Sequence, residues 1–125
     1  MSPRLQVILA SLILFIGVGT GAFGAHGLRQ HVGPDMLATW QTAVLYQLVH
    51  GLGLLGLAML HERYGGALLR SAGVVMLAGI VIFSGSLYVL VLSNQKWLGA
   101  ITPIGGLAFL VAWGMTALAA YHQAK

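Results

Sequence analysis

Five histidines are the residues of this sequence that could most readily bind a metal, carry a proton or ligate a haem iron. Imidazole titrates near neutral pH and is a common ligand of metals and of haem. His31, His61 and His122 fall near the ends of apolar stretches, where a place at the lipid–water interface is expected. His26 sits in "GAFGAHGL", and His50 lies deep inside "YQLVHGLG". An ionisable side chain at that depth is costly and usually faces a bundle interior or a cavity.

The residues around His50 predict a polar strip on a helix. Tyr46 precedes His50 by four positions and Gln47 by three, and residues three or four apart are neighbours on a helix surface. A second pair, Ser84 and Tyr88, occurs in "FSGSLY". Counted along alternating helices, these residues fall in one membrane half, and the opposite half is expected to be almost wholly aliphatic. The candidates for a polar cavity are His26, Trp40, Tyr46, Gln47, His50, Ser84, Tyr88 and Thr102.

Three interpretations of this cluster stay open. The side chains can hydrogen-bond across helices, which contributes about 0.6 kcal/mol per bond on average in membranes. They can instead line a half-open cavity in which His50 binds a small molecule, an ion or a lipid group. Two histidines from two helices could also ligate a haem iron. A zinc site is not expected, because the sequence has no Cys and no carboxylate inside an apolar stretch.

Several enzyme classes are excluded because their motifs are missing. The sequence holds no GxSxG nucleophile elbow, no HExxH zinc motif and no P-loop. No Asp or Glu lies within the apolar stretches, which argues against a proton-coupled exporter of small cations. The pattern therefore favours a protein that is not an enzyme, and it indicates no resident cofactor or metal.

Composition requires the polar residues to sit on helices that cross a membrane. Of the 125 residues, 58% are hydrophobic and only 6% charged, whereas a soluble domain carries about 25% charged residues. The charged residues bound four uncharged stretches, each longer than the roughly 20 apolar residues that a spanning helix needs. These stretches cover residues 5–28, 36–61, 71–95 and 97–124.

The sequence therefore predicts an all-α integral membrane protein, folded as a four-transmembrane-helix bundle. The single predicted domain, residues 1–125, holds helices at roughly 5–25, 35–61, 68–92 and 103–121. Pro34 suits the first turn of the second helix, and Gly65-Gly66 breaks the chain after it. For the fourth helix, Thr102 is expected as the N-cap and Pro103 as the first helical residue.

Two rows of small residues predict where helices pack. The candidates are Gly17, Gly21 and Ala25 in the first helix, and Ala72, Gly79 and Ser86 in the third. Small residues let helices approach closely in lipid, where little hydrophobic force drives them together. The rows exceed the needs of one short bundle, so the lipid bilayer and either further copies of the chain or a partner membrane protein are the expected neighbours.

The charges predict an orientation and argue against a nucleic-acid partner. The side of the termini holds Arg4, Arg63, Arg70 and Lys125, and the opposite side holds Arg29 and Lys96. The positive-inside rule then places both termini in the cytoplasm. The net charge of +4 is scattered over helix ends, as lipid-interface anchors would be. A signal peptide cleaved after Gly24 is the less favoured interpretation of the first apolar run.

Four segments resemble the domain of unknown function 423 family over almost the whole chain. They are "GAFGAHGL" at 21–28, "WQTAVLYQLVHGLGLL" at 40–55, "FSGSLYVLVL" at 83–92 and "GAITPIGGLAFLVAW" at 99–113. The family comprises small bacterial proteins with four predicted helices, and its relatives include transmembrane protein 256. The resemblance implies a location in the inner membrane and supplies no mechanism or catalytic residue.

The expected function is that of a non-enzymatic structural, assembly or partner-binding protein of the inner membrane. The alternative is a small transporter or channel with a polar cavity around His50, and a haem-binding membrane subunit ranks third. A dry, packed contact at His50 would favour the first expectation, and a water-accessible cavity there would favour the second.

Overall fold

Four long helices make up most of the computed structural model, which describes residues 1–122. They are α1 (Pro3–Ala25), α2 (Pro34–Met59), α3 (Ala67–Ser93) and α4 (Thr102–His122). All four are long and apolar enough to cross a membrane, and no strand occurs within the described range. The prediction of an all-α, four-spanning membrane protein is confirmed. Lys125, which the predicted charge balance included, lies outside the described residues.

The ends of α1 and α2 follow from local hydrogen bonding. The Ser2 side chain accepts a hydrogen bond from the Leu5 N–H at 3.1 Å, and Pro3 occupies the first turn. These features start α1 two residues before the predicted position. The C-terminal end of α2 is at Met59 rather than at the predicted His61, because His61–Tyr64 forms a separate short helix.

The turns on either side of α3 use backbone conformations with positive φ. Gly66 has φ of 140° and Asn94 has φ of 58°, which are angles that other residues rarely adopt. After Asn94 the 3₁₀ turn Lys96–Ala100 leads into α4. The prediction of Thr102 as the N-cap was wrong. Because this turn runs directly into α4, Thr102 is already helical, and its hydroxyl lies 2.6 Å from that of Ser86 on α3.

The helices α2 and α3 form the centre of the molecule. α1 packs against α2, α2 against α3, and α3 against α4, whereas α1 and α4 are not among the closely packed pairs of the described chain. In the most apolar 18-residue segment of each span, 44% of the residues are buried for α2 and for α3, compared with 17% for α1 and 22% for α4. The two outer helices therefore expose most of their surface to lipid.

Two apolar clusters form the core, one in each membrane half. The cluster on the side of the N-terminus contains Ala10, Leu54, Leu57, Leu69, Ala72, Met76, Ala112 and Ala119. The cluster on the side of the first loop contains Leu28, Trp40, Ala43, Leu87, Leu90 and Val91. Polar side chains lie between and beside these clusters, so the apolar packing holds them in position.

Glycines of α1 lie directly against side chains of α2. A Cβ atom at Gly17 would be 2.7 Å from Leu48, and one at Gly24 would be 2.6 Å from Trp40. Ala25, predicted to extend this row, is exposed instead. The reason is angular: at 3.6 residues per turn, position 24 returns to within about 20° of position 17, whereas position 25 lies roughly 80° away.

The small residues of α3 are buried against its neighbours. Ala72, Gly79 and Ser86 all lie in the interior. A Cβ atom at Gly79 would be 2.7 Å from the ring of Phe109 on α4. This spacing of seven residues lets α3 approach α4 closely along its length.

Candidate functional site

The polar residues predicted to share one cavity lie in two separate groups. One group, the tyrosine cluster, consists of Thr20, Trp40, Gln47 and Tyr88 and joins α1, α2 and α3. The other, the histidine cluster, consists of Tyr46, His50, Phe83, Phe109 and Trp113 and joins α2, α3 and α4. The prediction of a single shared polar cavity is therefore corrected, because neighbouring residues of α2 point toward different helices.

Hydrogen bonds between helices satisfy the polar groups of the tyrosine cluster. The Tyr88 hydroxyl donates to Gln47 Oε1 and lies 3.0 Å from Thr20 Oγ1. Gln47 Nε2 donates to the carbonyl oxygen of Ile13 at 2.9 Å. Trp40 Nε1 donates to the carbonyl of Thr20 at 2.8 Å, and its ring centroid is 4.6 Å from that of Tyr88. Each polar group thus has a partner on another helix.

Both ring nitrogens of His50 are occupied. Nδ1 lies 3.0 Å from the carbonyl oxygen of Tyr46, and Nε2 accepts a hydrogen bond from Trp113 Nε1 at 3.1 Å. A carbonyl can only accept and an indole N–H can only donate, so His50 is the neutral tautomer with its proton on Nδ1. The ring also stacks on Phe109, with centroids 3.6 Å apart and planes at 11°.

A groove of 490 Å³ runs along the outer side of the histidine cluster. Its lining consists of Tyr46, His50, Phe83, Pro103, Gly106, Leu107, Phe109, Leu110 and Trp113. The rim is exposed, since Leu110 is 71% and Tyr46 38% accessible, whereas His50 is only 5% accessible. The groove is therefore an apolar, aromatic depression that opens sideways, with a hydrogen-bonded imidazole beneath it.

The serine and threonine candidates fasten helices together. Ser84 Oγ donates to the carbonyl oxygen of Ala43 at 2.7 Å, which joins α3 to α2. The hydroxyls of Ser86 and Thr102 lie 2.6 Å apart and join α3 to α4. All three side chains are at least nine-tenths buried, so their hydroxyls serve the contacts between helices.

His26 does not join either cluster. It follows α1 directly and is exposed, and its backbone N–H donates to the carbonyl of Ala22 at 3.1 Å. The structure places it apart from the other predicted cavity residues, because Gly24 occupies the face of α1 that meets α2. A pair of haem ligands from His26 and His50 has no support in this arrangement, since the Nε2 lone pair of His50 is directed at Trp113.

Gln6 is a buried polar residue that the sequence interpretation missed. Its side chain has no accessible surface, and its Nε2 donates to the carbonyl oxygen of Leu54 at 2.8 Å. The half predicted to be almost wholly aliphatic therefore contains a polar contact. The spacing of Gln6, Ala10 and Gly17 on the buried side of α1 is the signal that could have revealed it.

Trp113 was also missed, although it holds the second nitrogen of His50. Phe109 and Trp113 are four residues apart, which places both on the side of α4 that meets the central helices. Across residues 1–122 no group of three or more His, Cys, Asp or Glu side chains is arranged to hold a metal ion.

Four apolar spanning helices, joined by hydrogen bonds from buried polar side chains, define a small multi-pass integral membrane protein. The chain belongs to the family described as "Protein of unknown function (DUF423)", whose model matches residues 20–106. The resemblance seen in the four sequence segments is thereby confirmed.

Named relatives agree with this class. The chain is 45% identical over 118 residues to the UPF0382 membrane protein YwdK of Bacillus subtilis (strain 168). The matched region covers 94% of this chain and 96% of the relative. It is 44% identical over 121 residues to the UPF0382 membrane protein SAB0533 of Staphylococcus aureus (strain bovine RF122 / ET3-1), with 97% and 98% covered. No solved structure matches the chain.

Proposed function

We propose that this chain is a non-enzymatic protein of the inner membrane that acts as a structural or assembly component by binding further copies of itself or other membrane proteins. The observation that carries the proposal is the occupied state of His50, whose two nitrogens bond to Tyr46 and Trp113. A histidine that shuttles protons or ligates a cofactor needs a nitrogen lone pair that is free to react.

The alternatives draw less support from the same contacts. A transporter or channel needs a polar path, but the groove beside His50 has a mostly apolar lining, and the ring of Phe109 in that lining stacks on His50. A haem-binding subunit would need His50 to release Trp113 first. Packing of this kind suits a fixed scaffold better than a moving or reacting site.

The outer helices supply surface that a partner could cover. On α1, Phe15 is 77% and Phe23 47% exposed, and a Cβ atom at Gly19 between them would have no neighbouring atom within 4 Å. Phe15, Gly19 and Phe23 are spaced by four, so the two rings flank a depression on one face of α1. Such a depression suits a side chain from another helix, since small residues favour close helix contacts in lipid.

The location in the inner membrane and the orientation are parts of the same proposal. Arg4, Arg63 and Arg70 lie on the side of the N-terminus, and Arg29 and Lys96 on the other. This balance supports a cytoplasmic N-terminus under the positive-inside rule.

Disulfide cross-linking in membranes tests the assembly proposal. The chain has no Cys, so single cysteines can be placed at Phe15 on α1 and Leu110 on α4. Matched controls lie at Leu52 on α2 and Val81 on α3, which are 60% and 64% exposed. We expect cross-linked species, of the dimer mass or with another membrane protein, from an outer-helix position only. Equal cross-linking at all four positions, or none at any, would contradict the proposal.

A further inference from the structure

A cleft of 470 Å³ lies where the start of α3 meets the N-terminus of the chain. Its lining consists of Met1, Ala67, Arg70, Ser71, Val74 and Val75. The cleft shares no residue with the tyrosine cluster or the histidine cluster, and it lies in the opposite membrane half.

One face of α3 changes along this cleft from charged to apolar. Positions 67, 70, 71, 74 and 75 are separated by three, four, seven and eight residues, which places them on the same side of a helix. Arg70 and Ser71 come first, and Val74 and Val75 follow one turn later. At 1.5 Å per residue, the valines lie about 6 Å further along the helix axis. A phospholipid has the same order, a charged phosphate followed by an acyl chain.

The surroundings of the cleft carry excess positive charge. Burial, the Arg70 guanidinium and the N-terminal ammonium group together lower the pKa of His61 below its usual value, so these groups lie close enough to interact. Nε2 of His61 is buried without a hydrogen-bond partner within the described residues. Glu62 is the single acidic residue on this side of the bundle within residues 1–122.

We propose that this cleft binds an anionic phospholipid, with its phosphodiester at Arg70 and Ser71 and an acyl chain along Val74 and Val75. Guanidinium groups match phosphate oxygens well, and basic pockets between membrane helices are known to hold anionic headgroups. Val74 is 48% exposed, which leaves its surface available to an acyl chain. The apolar half of the cleft favours a lipid over a free anion, which could use only the charged half.

Thermal unfolding of the purified protein in detergent tests the proposal. Short-chain phosphatidylglycerol is titrated against the wild type, Arg70→Gln and Arg63→Gln, with short-chain phosphatidylcholine as the lipid control. Arg63 is exposed and lies outside the cleft. The R63Q substitution therefore removes the same charge as R70Q without changing the cleft. We expect phosphatidylglycerol to raise the Tm of the wild type and of R63Q. For R70Q, the half-maximal lipid concentration should rise about ten-fold or more, because a charge-assisted hydrogen bond is lost.

Three results would overturn the proposal. Equal shifts with phosphatidylcholine would indicate a general effect of lipid, and equal losses in R63Q and R70Q would indicate diffuse surface charge. A full shift with inorganic phosphate or glycerol phosphate would indicate a free-anion site. If R70Q does not fold, Ser71→Ala provides the test, since it removes a hydroxyl and leaves the charge balance intact. S71A should weaken the binding of phosphatidylglycerol and leave the response to phosphatidylcholine as it is in the wild type. An unchanged response to phosphatidylglycerol in S71A would also count against the site.

Discussion

Polar residues inside this bundle act by fastening one helix to another. Gln47 and His50 are three positions apart on α2, which is a rotation of about 60° around the helix. That rotation directs Gln47 toward α1 and Tyr88, and it directs His50 toward Trp113 on α4. The depth of each residue could be predicted from its place in an apolar stretch. Its partner could not, because the choice of neighbour depends on how the helices are rotated against one another.

Removal of the Tyr88 hydroxyl should destabilise the protein. In Tyr88→Phe, Gln47 Oε1 loses its donor while remaining buried, with an expected cost of about 1–2 kcal/mol in the free energy of unfolding. Tyr46→Phe is the matched control: Tyr46 is 38% exposed at the rim of the groove, so loss of its hydroxyl should change stability by less than about 0.5 kcal/mol. Unfolding in sodium dodecyl sulfate, followed by circular dichroism, measures both. Equal losses in the two variants would contradict the role assigned to Tyr88.

Close contacts between whole helices depend on glycines that pack against another backbone or a large ring. The tightest lies between α4 and α3, where a Cβ atom at Gly105 would be 2.5 Å from the backbone nitrogen of Phe83. A Cβ atom at the next residue, Gly106, would have its closest neighbouring atom, in the ring of Phe83, at 3.9 Å. A backbone cannot move aside as a flexible side chain can, so this contact sets the distance between the two helices.

Gly105→Ala and Gly106→Ala should therefore have opposite effects. Overpacking at Gly105 should cost about 1–3 kcal/mol, whereas alanine at Gly106 fits and should be neutral or slightly stabilising, since it favours a helix more than glycine does. The same detergent unfolding experiment compares the two variants with the wild type. A neutral G105A would show that α3 and α4 are not held at the distance described.

The number and type of the helices could be predicted from the sequence, because uncharged stretches of this length have few alternatives in a membrane. The faces of the helices were harder to predict. Ala25 continued the GxxxG spacing of Gly17 and Gly21, but the helix turns it away from α2 and brings in Gly24. Gln6 was overlooked because a single amide near the end of a helix resembles an interface residue. Trp113 was overlooked because its role depends on the approach of α4.

The molecule as a whole has two central helices flanked by two outer ones. α1 and α4 lie on different partners and carry most of the lipid-facing surface. The charged residues lie at the helix ends, and Gln95 and Glu62 mark loops on opposite sides of the bundle. Exposed positions in these loops can report which side faces the cytoplasm.

Cysteine labelling in whole cells should distinguish the two orientations. With the proposed topology, Gln95→Cys reacts with a membrane-impermeant maleimide in intact cells, whereas Glu62→Cys reacts only after permeabilisation. Both residues are exposed, and acidic residues contribute little to orientation, so neither change should reverse the protein. The reverse pattern, or equal labelling of both in intact cells, would contradict a single orientation with the N-terminus in the cytoplasm.

The glutamine contacts of α1 and α2 also bear on the order in which the bundle assembles. Gln6 bonds to Leu54 and Gln47 bonds to Ile13, so each helix donates one amide to the backbone of the other. Both bonds form within the hairpin of α1 and α2, which precedes α3 along the chain. An unpaired amide in hydrocarbon costs several kcal/mol, and the first hairpin can remove much of that cost alone. α3 then adds Tyr88, and α4 arrives last with Trp113 to complete the surroundings of His50.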